Sequence, residues 1–263
     1  MTKSIRALER GLTVIEALGR RKVASLAALA RATGLPKPTL LRVLKTLIEK
    51  GWAYRRVNDG TYCLALAPGG RDPAAIRRTK IARIGAPFLQ KLSEGTGLPA
   101  DLTIVVEPGI LEVVESTRVR CEGGVDPIVA GFRPSLVFSA PGRMLLAASS
   151  EPARQEHLAH ILRTDSPAER FFVTSGALAM EIERSLKRGY ARRESGYWPS
   201  VSDYGEEPMD IAVPLGKAGA PLGCLSLVWP AATQGPEAVA SAHLARLVEV
   251  AGSLSKALAR ESV

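Results

Sequence analysis

The sequence predicts an α+β chain in two parts. An N-terminal winged helix-turn-helix leads through a linker helix into a larger domain built on a curved antiparallel sheet with flanking helices. Three observations carry this. The first sixty residues hold thirteen Lys and Arg against four Asp and Glu, a net +9, whereas the other 203 carry twenty-two of each. Inside the basic block, three short amphipathic helical patterns are followed by two β-rich runs. Residues 67–74, APGGRDPA, then put two Pro and two Gly in eight positions, the signature of a boundary. The limits so read are 1–67 for the basic domain, 68–95 for the linker and its helix, and 96–263 for the second domain.

Composition narrows the function classes. A chain of 263 residues with 46% hydrophobic and 5% aromatic residues is globular rather than disordered. No apolar run approaches the roughly 18 residues of a membrane span. The opening MTKSIRALERG lacks the apolar core of a signal peptide, so a cytoplasmic protein is expected, with no membrane partner. Cys63, Cys121 and Cys224 are odd in number, widely spaced and outside any CxxC pair, which reads as reduced, mostly buried thiols rather than a disulfide framework or a zinc site. A charge excess confined to a small module suits a polyanion, because each neutralised phosphate releases counterions.

Taken in order, Leu8, Leu12, Ile15 and Leu18 recur at helical spacing, and Gly19 is expected to stop this first helix before Arg20, Arg21 and Lys22. Ser25 is placed to cap a short second helix, SLAALARAT, which Gly34 ends. Pro38 is expected as first residue of a third helix, PTLLRVLKTLIEK, where its missing N–H costs nothing. On a helical wheel Leu40, Leu41, Leu44, Leu47 and Ile48 share one arc, and Thr39, Arg42, Lys45, Thr46 and Glu49 the opposite one. WAYRRV and TYCLAL, joined by Asn58-Asp59-Gly60, read as a two-stranded wing.

In a helix-turn-helix the third helix enters the major groove. Thr39, Arg42 and Thr46 then lie on the stripe that can reach base edges, with Lys37 and Lys45 placed for phosphates and Arg55 and Arg56 on the wing beside the backbone or minor groove. Ser25 and Pro38, at the starts of the second and third helices, complete the candidate DNA-binding set.

Past the boundary, Ile81, Ile84, Phe88 and Leu92 recur at helical spacing, with Pro87 expected to kink or restart the helix. Its apolar stripe has two readings, an intrachain contact or a seam between subunits. DLTIVV and ILEVVEST, divided by Glu107-Pro108-Gly109, read as a hairpin. SLVFS reads as a strand entering the helix PGRMLLAA, whose N-terminus could receive a carboxylate. SEPARQEHLAHIL and SGALAMEIERSLKRGYA are amphipathic helices that cover the sheet. MDIAVPL and PLGCLSLVW are strands joined around Gly216 to Gly219; period two puts Asp210, Ala212 and Pro214 on one face, and Cys224, Ser226 and Val228 on one face. A buried Asp210 would need a partner or a proton; the alternative is that it faces solvent. The loop ESGYWPSVSDYGEEP offers Tyr197, Trp198, Asp203 and Tyr204 as a ligand cap.

Six segments, in order, resemble the IclR-type bacterial transcriptional regulators: LERGLTVIEAL, LAALARATGLPKPTLLRVLKTLIEKGWAYRR with YCLAL, LQKLSEGTGLPADLTIV, SAPGRMLLA, SLKRGYA and DIAVPL. The resemblance implies a dimer or dimer of dimers on double-stranded operator DNA, and a second domain related to small-molecule-sensing GAF folds that answers to a small organic acid. DIAVPL followed by GCLSLVW is similar to members controlling catabolism of hydroxyphenylpropionate-like aromatic acids. In the family, positions matching Asp210 and Ser226 line the effector pocket; there the first is usually Cys, and the position of Val228 is often Ser. The effector set implied is Arg133, Ser139, Ala140, Gly142, Met144, Asp203, Asp210, Cys224 and Ser226. The family often has Ser or Thr where this chain has Pro38, so some backbone anchoring must come from elsewhere.

The rival reading is a small-molecule-acting enzyme fused to a DNA-binding module. It finds little support. His157 and His160 stand at i, i+3 without a third clustered ligand, and no GxSxG, Walker loop or GxGxxG is present. No catalytic residue, metal or cofactor is expected.

Overall fold

The computed structural model describes residues 5–21, 24–55, 60–64, 73–118, 131–163, 166–197 and 206–261. It divides into two compact units, Met1–Arg83 and Ile84–Val263.

In the first unit three helices, α1 (Arg6–Arg21), α2 (Leu26–Thr33) and α3 (Lys37–Glu49), precede an antiparallel pair, β1 (Ala53–Arg55) and β2 (Tyr62–Leu64). The local signals work as expected for α2: Ser25 Oγ accepts from the Ala28 N–H at 3.2 Å, and Gly34 closes the helix at φ 67°. Two expectations shift. α1 runs through Gly19 to Arg21, because a glycine costs only about 1 kcal/mol inside a helix and the last turn carries favourable basic residues. α3 starts one residue early, with Pro36 at the cap position and Pro38 in the first turn. Val14, Leu18, Leu29, Leu40, Leu44, Ala53 and Tyr62 form the core, and Ala24 exchanges two backbone hydrogen bonds with Tyr62 (3.0 and 2.8 Å), pinning the wing to the helices.

α4 (Pro73–Thr96) runs on past Pro87 without restarting; Ala86, Leu89 and Leu92 are fully buried on either side. The second unit then carries β3 (Ala100–Glu107), β4 (Ile110–Ser116), α5 (Ala140–Ala148), α6 (Glu151–Arg163), α7 (Pro167–Thr174), α8 (Ala177–Arg188), β5 (Ala191–Arg192), β6 (Pro208–Lys217), β7 (Ala220–Pro230) and α9 (Pro236–Arg260). Its five-stranded antiparallel sheet has the order β4-β3-β7-β6-β5. The β3–β4 and β6–β7 hairpins form where the sequence indicated, with Gly109 at φ 82° in the first turn.

SLVFS, expected as a strand, is instead a turn. The Ser135 hydroxyl accepts from the Val137 and Phe138 N–H groups at 3.1 and 3.2 Å, which offers this backbone a local alternative to a ladder. Helices α7 and α9 lie outside the sequence-based expectations.

The register sorts the two sheet faces. Ile104, Ile211, Val213, Leu225 and Leu227 share one face with Leu102, which presses on Gly85 of α4, and α9 packs along β6. The other face carries Asp101, Thr103, Asp210, Ala212, Cys224, Ser226 and Val228 and lies under α5, where the Cys224 thiol donates to the Pro141 carbonyl at 3.3 Å. No described helix is long and apolar enough to cross a membrane.

Candidate functional site

The basic face of the first unit is built by α3. Leu40 and Leu44 anchor the helix in the core, so Arg42, Lys45, Thr46 and Glu49 stand in solvent, as do Lys37 and Pro38, while Thr39 is half-buried. Lys45 lies 3.8 Å from Glu49, an exposed pair worth only about 0.3–0.5 kcal/mol and easily exchanged for a phosphate. The Thr46 hydroxyl donates to the Arg42 carbonyl at 3.0 Å, which leaves it able to accept. At the wing, Arg55 Nε donates to the Gly60 carbonyl at 3.1 Å and its guanidinium lies 5.9 Å from the Tyr62 ring centroid. Arg56, with most of the expected turn, lies outside the described residues.

Two apolar expectations need correction here. Leu41 and Ile48 are 46% and 38% exposed rather than core. The wheel grouped them with Leu40 and Leu44, but α1 and α2 pack nearer Val43 and Leu47, leaving them on the margin. Likewise α1 buries Val14, Ala17 and Leu18, while Leu8 and Leu12 stay half-exposed and, with Ile15, form one wall of a groove of about 490 Å³. Thr39, Arg42 and Thr46 line the other wall with Val43, Leu47 and Trp52. The hydroxyl stripe therefore lies along the α1 edge of α3.

In the second unit the structure brings together Ser226, Cys224 and Asp210 on the α5 side of the sheet, with Ser139, Ala140, Gly142 and Met144 buried in the turn and helix above. Asp210 is buried and paired with Arg193, so the requirement for a partner is met; the Arg193 guanidinium lies 5.5 Å from the Tyr197 ring centroid. Cys224 is fully buried, and burial pushes its thiol up, keeping it neutral. Tyr197, one of the expected loop aromatics, packs against Phe138 at 5.7 Å and its hydroxyl accepts from the Ser135 N–H at 3.0 Å; burial raises its pKa. Asp203, Trp198 and Tyr204 lie outside the described residues, as does Cys121.

The anion reading of the α5 N-terminus loses most of its donors. Ser139 Oγ accepts from the Gly142 N–H at 3.0 Å, the Arg143 N–H reaches the Ser139 carbonyl at 3.1 Å, and Pro141 has no N–H. Gly142 is required there: a Cβ would stand 2.4 Å from the Leu136 Cα. Arg133 is not part of this group. It is half-exposed and lies 3.6 Å from Glu112, which the register pairs with Ile104 and so places on the opposite sheet face from Thr103.

Several residues of this face escaped the sequence reading. Asp101 is buried, takes the Arg118 guanidinium through both oxygens and accepts from Ser116 Oγ at 2.7 Å. Thr103 and Ser226 are each 1% exposed, and neither side-chain oxygen has a hydrogen-bond partner. The available signal was Asp101 and Thr103 two apart in an otherwise apolar strand, which period two sends to one face.

Residues 7–56 match the model of the IclR helix-turn-helix domain. The N-terminal domain is therefore an IclR helix-turn-helix domain. It is 32% identical over 154 residues to the Pca regulon regulatory protein of Pseudomonas putida, a match covering 58% of this chain and 52% of that one. The chain thus spans about half the length of that relative. It is 24% identical over 208 residues to the HTH-type transcriptional regulator BhcR of Paracoccus denitrificans, covering 79% of this chain and 74% of the other. Its fold is similar to the crystal structure of an IclR homolog complexed with 4-hydroxybenzoate from Microbacterium hydrocarbonoxydans, with a TM-score of 0.55, 22% identity, and 97% and 99% of the two chains covered. The winged unit and the antiparallel sheet with its helices are therefore the IclR architecture, carried in this chain with Asp210 and Val228 on its α5-side sheet face.

Proposed function

We propose that this IclR-type chain is a transcriptional regulator whose grip on operator DNA is changed by a small organic acid, most simply an aromatic one, held on the α5 side of its sheet. The reading rests above all on the IclR helix-turn-helix, which holds Arg42 and Lys45 exposed on its third helix in the one strongly basic part of the chain. The relatives' own designations as regulators support it, and the homolog complexed with 4-hydroxybenzoate supports the acid. In this reading residues 1–67 bind DNA through Ser25, Lys37, Pro38, Thr39, Arg42, Lys45, Thr46, Arg55 and Arg56. Residues 68–95 link, and 96–263 bind effector through Ser226, Asp210 and Cys224 beneath α5 and Met144 on it, and assemble the dimer or dimer of dimers. It acts in the cytoplasm and has no catalytic function of its own.

The mechanism is a population shift. An effector moves the equilibrium between two arrangements of the dimer only by its difference in affinity for them, and the spacing of the two recognition helices changes with it. Selection of bound duplexes from a random pool tests the DNA half. A pseudo-palindrome with half-sites one or more helical turns apart, about 10.5 base pairs each, is expected. Recovery of an unenriched pool would overturn it.

A further inference from the structure

We propose that Thr103 is a specificity-determining residue for the effector, its hydroxyl acting with that of Ser226 to hold one carboxylate. This rests on the reading of the second domain as the effector domain and names the group that the site takes. A buried hydroxyl left without a partner costs about 1–3 kcal/mol, so a native fold keeps one where something else completes it. Here there are two, each 1% exposed and each with an oxygen lacking any partner.

They are neighbours. Thr103 stands opposite Cys224 and Ser226 opposite Asp101 on adjacent strands β3 and β7, so the two residues are a diagonal pair on the same sheet face. Such pairs lie roughly 7 Å apart or a little less at Cβ, a span that two O–H···O bonds of about 2.7 Å to the two oxygens of one carboxylate can bridge. Small side chains flank the pair: Ala212 opposite Ser226, and Cys224 opposite Thr103.

The electrostatics of this face admit an anion. Each carboxylate on this face is already matched, Asp101 by Arg118 with Ser116, and Asp210 by Arg193. A carboxylate held by Thr103 and Ser226 meets two neutral hydroxyls able to donate and, among the described residues of this face, no unmatched negative charge.

The experiment uses the full chain, with Thr103→Val, which keeps the shape and deletes the hydroxyl, and Thr103→Ser, which keeps the hydroxyl. Thermal melts without ligand are read first, then calorimetric titrations with 4-hydroxybenzoate, benzoate, succinate and neutral benzamide. Thr103→Val is expected to melt no lower than wild type without ligand, and to bind the best acid about 10- to 100-fold more weakly, the loss of one hydrogen bond to a charged group. Thr103→Ser is expected to stay within about threefold of wild type, and benzamide to bind all three chains weakly and alike. A marked drop in the melting temperature of ligand-free Thr103→Val would give the hydroxyl a structural partner and overturn the proposal. So would unchanged acid affinity in that variant when wild type binds. Absence of binding of any of the three acids to wild type would instead sink the organic-acid reading itself, and this proposal with it.

Discussion

Asp210→Ala probes the polar heart of the second domain. Asp210 and Arg193 have side chains 4% and 6% exposed, and Arg193 also donates to the Tyr197 carbonyl at 3.4 Å. Removing the carboxylate leaves the guanidinium buried without its counter-charge, a loss of about 3–5 kcal/mol. In a domain of this size each kcal/mol moves the melting temperature by about 2–4 °C, so a fall of about 6–20 °C is expected in scanning calorimetry of the full chain. The double variant Asp210→Leu, Arg193→Met removes both charges and is expected to recover most of that loss, since an apolar pair of similar volume is often neutral or better. A single variant melting within about 2 °C of wild type, or a double variant no more stable than the single, would refute the picture of a tightly coupled buried pair.

Arg42→Ala is expected to weaken operator binding and relax sequence preference by about 1–3 kcal/mol at one base position, whereas Lys45→Ala lowers the slope of log affinity against log salt by about one; gel-shift titrations at several salt concentrations separate them. Ser226→Leu places a bulky side chain where a fully buried serine sits, so the response of DNA binding to added acid is expected to vanish; a normal response would remove Ser226 from the site. His157 accepts from the Gly109 N–H at 2.9 Å through Nδ1, and burial lowers its pKa despite the opposing pull of Glu156. The unfolded chain therefore binds the proton more readily, so this histidine's contribution to stability is full above about pH 6.5 and fades as pH falls through the lowered folded value. Thermal melts across that range should flatten in His157→Gln; an unchanged pH slope would contradict it.

The parts of this molecule legible in the sequence are those fixed within a few residues. Ser25 and Gly34 bracket α2 because a hydroxyl acceptor and a left-handed backbone at φ 67° act locally. The β6–β7 pairing follows from alternation and its glycine turn. What failed depended on neighbours the sequence does not name. The marginal exposure of Leu41 and Ile48 is set by where α1 and α2 land, and SLVFS has the composition of a strand yet is folded into a turn by one serine hydroxyl. α9 carried its own signal, Pro236 followed by Val239, Leu247, Val250, Leu254 and Leu258 at helical spacing. For the site, Ser226 and Asp210 were reachable by resemblance and period, whereas Arg193 and Arg118 lie 17 residues from the carboxylates they neutralise and are joined to them only by folding.

The central claim is that the basic domain reads a sequence and the second domain alters that reading when an acid binds. Fluorescence anisotropy with the selected duplex and a scrambled one of equal length, at about 0.15 M salt, tests both halves at once. The account predicts affinity for the selected duplex higher by about 10³ or more, and a several-fold change in that affinity alone on adding the best-bound acid. Equal affinity for the two duplexes, untouched by any acid that binds the protein, would contradict it.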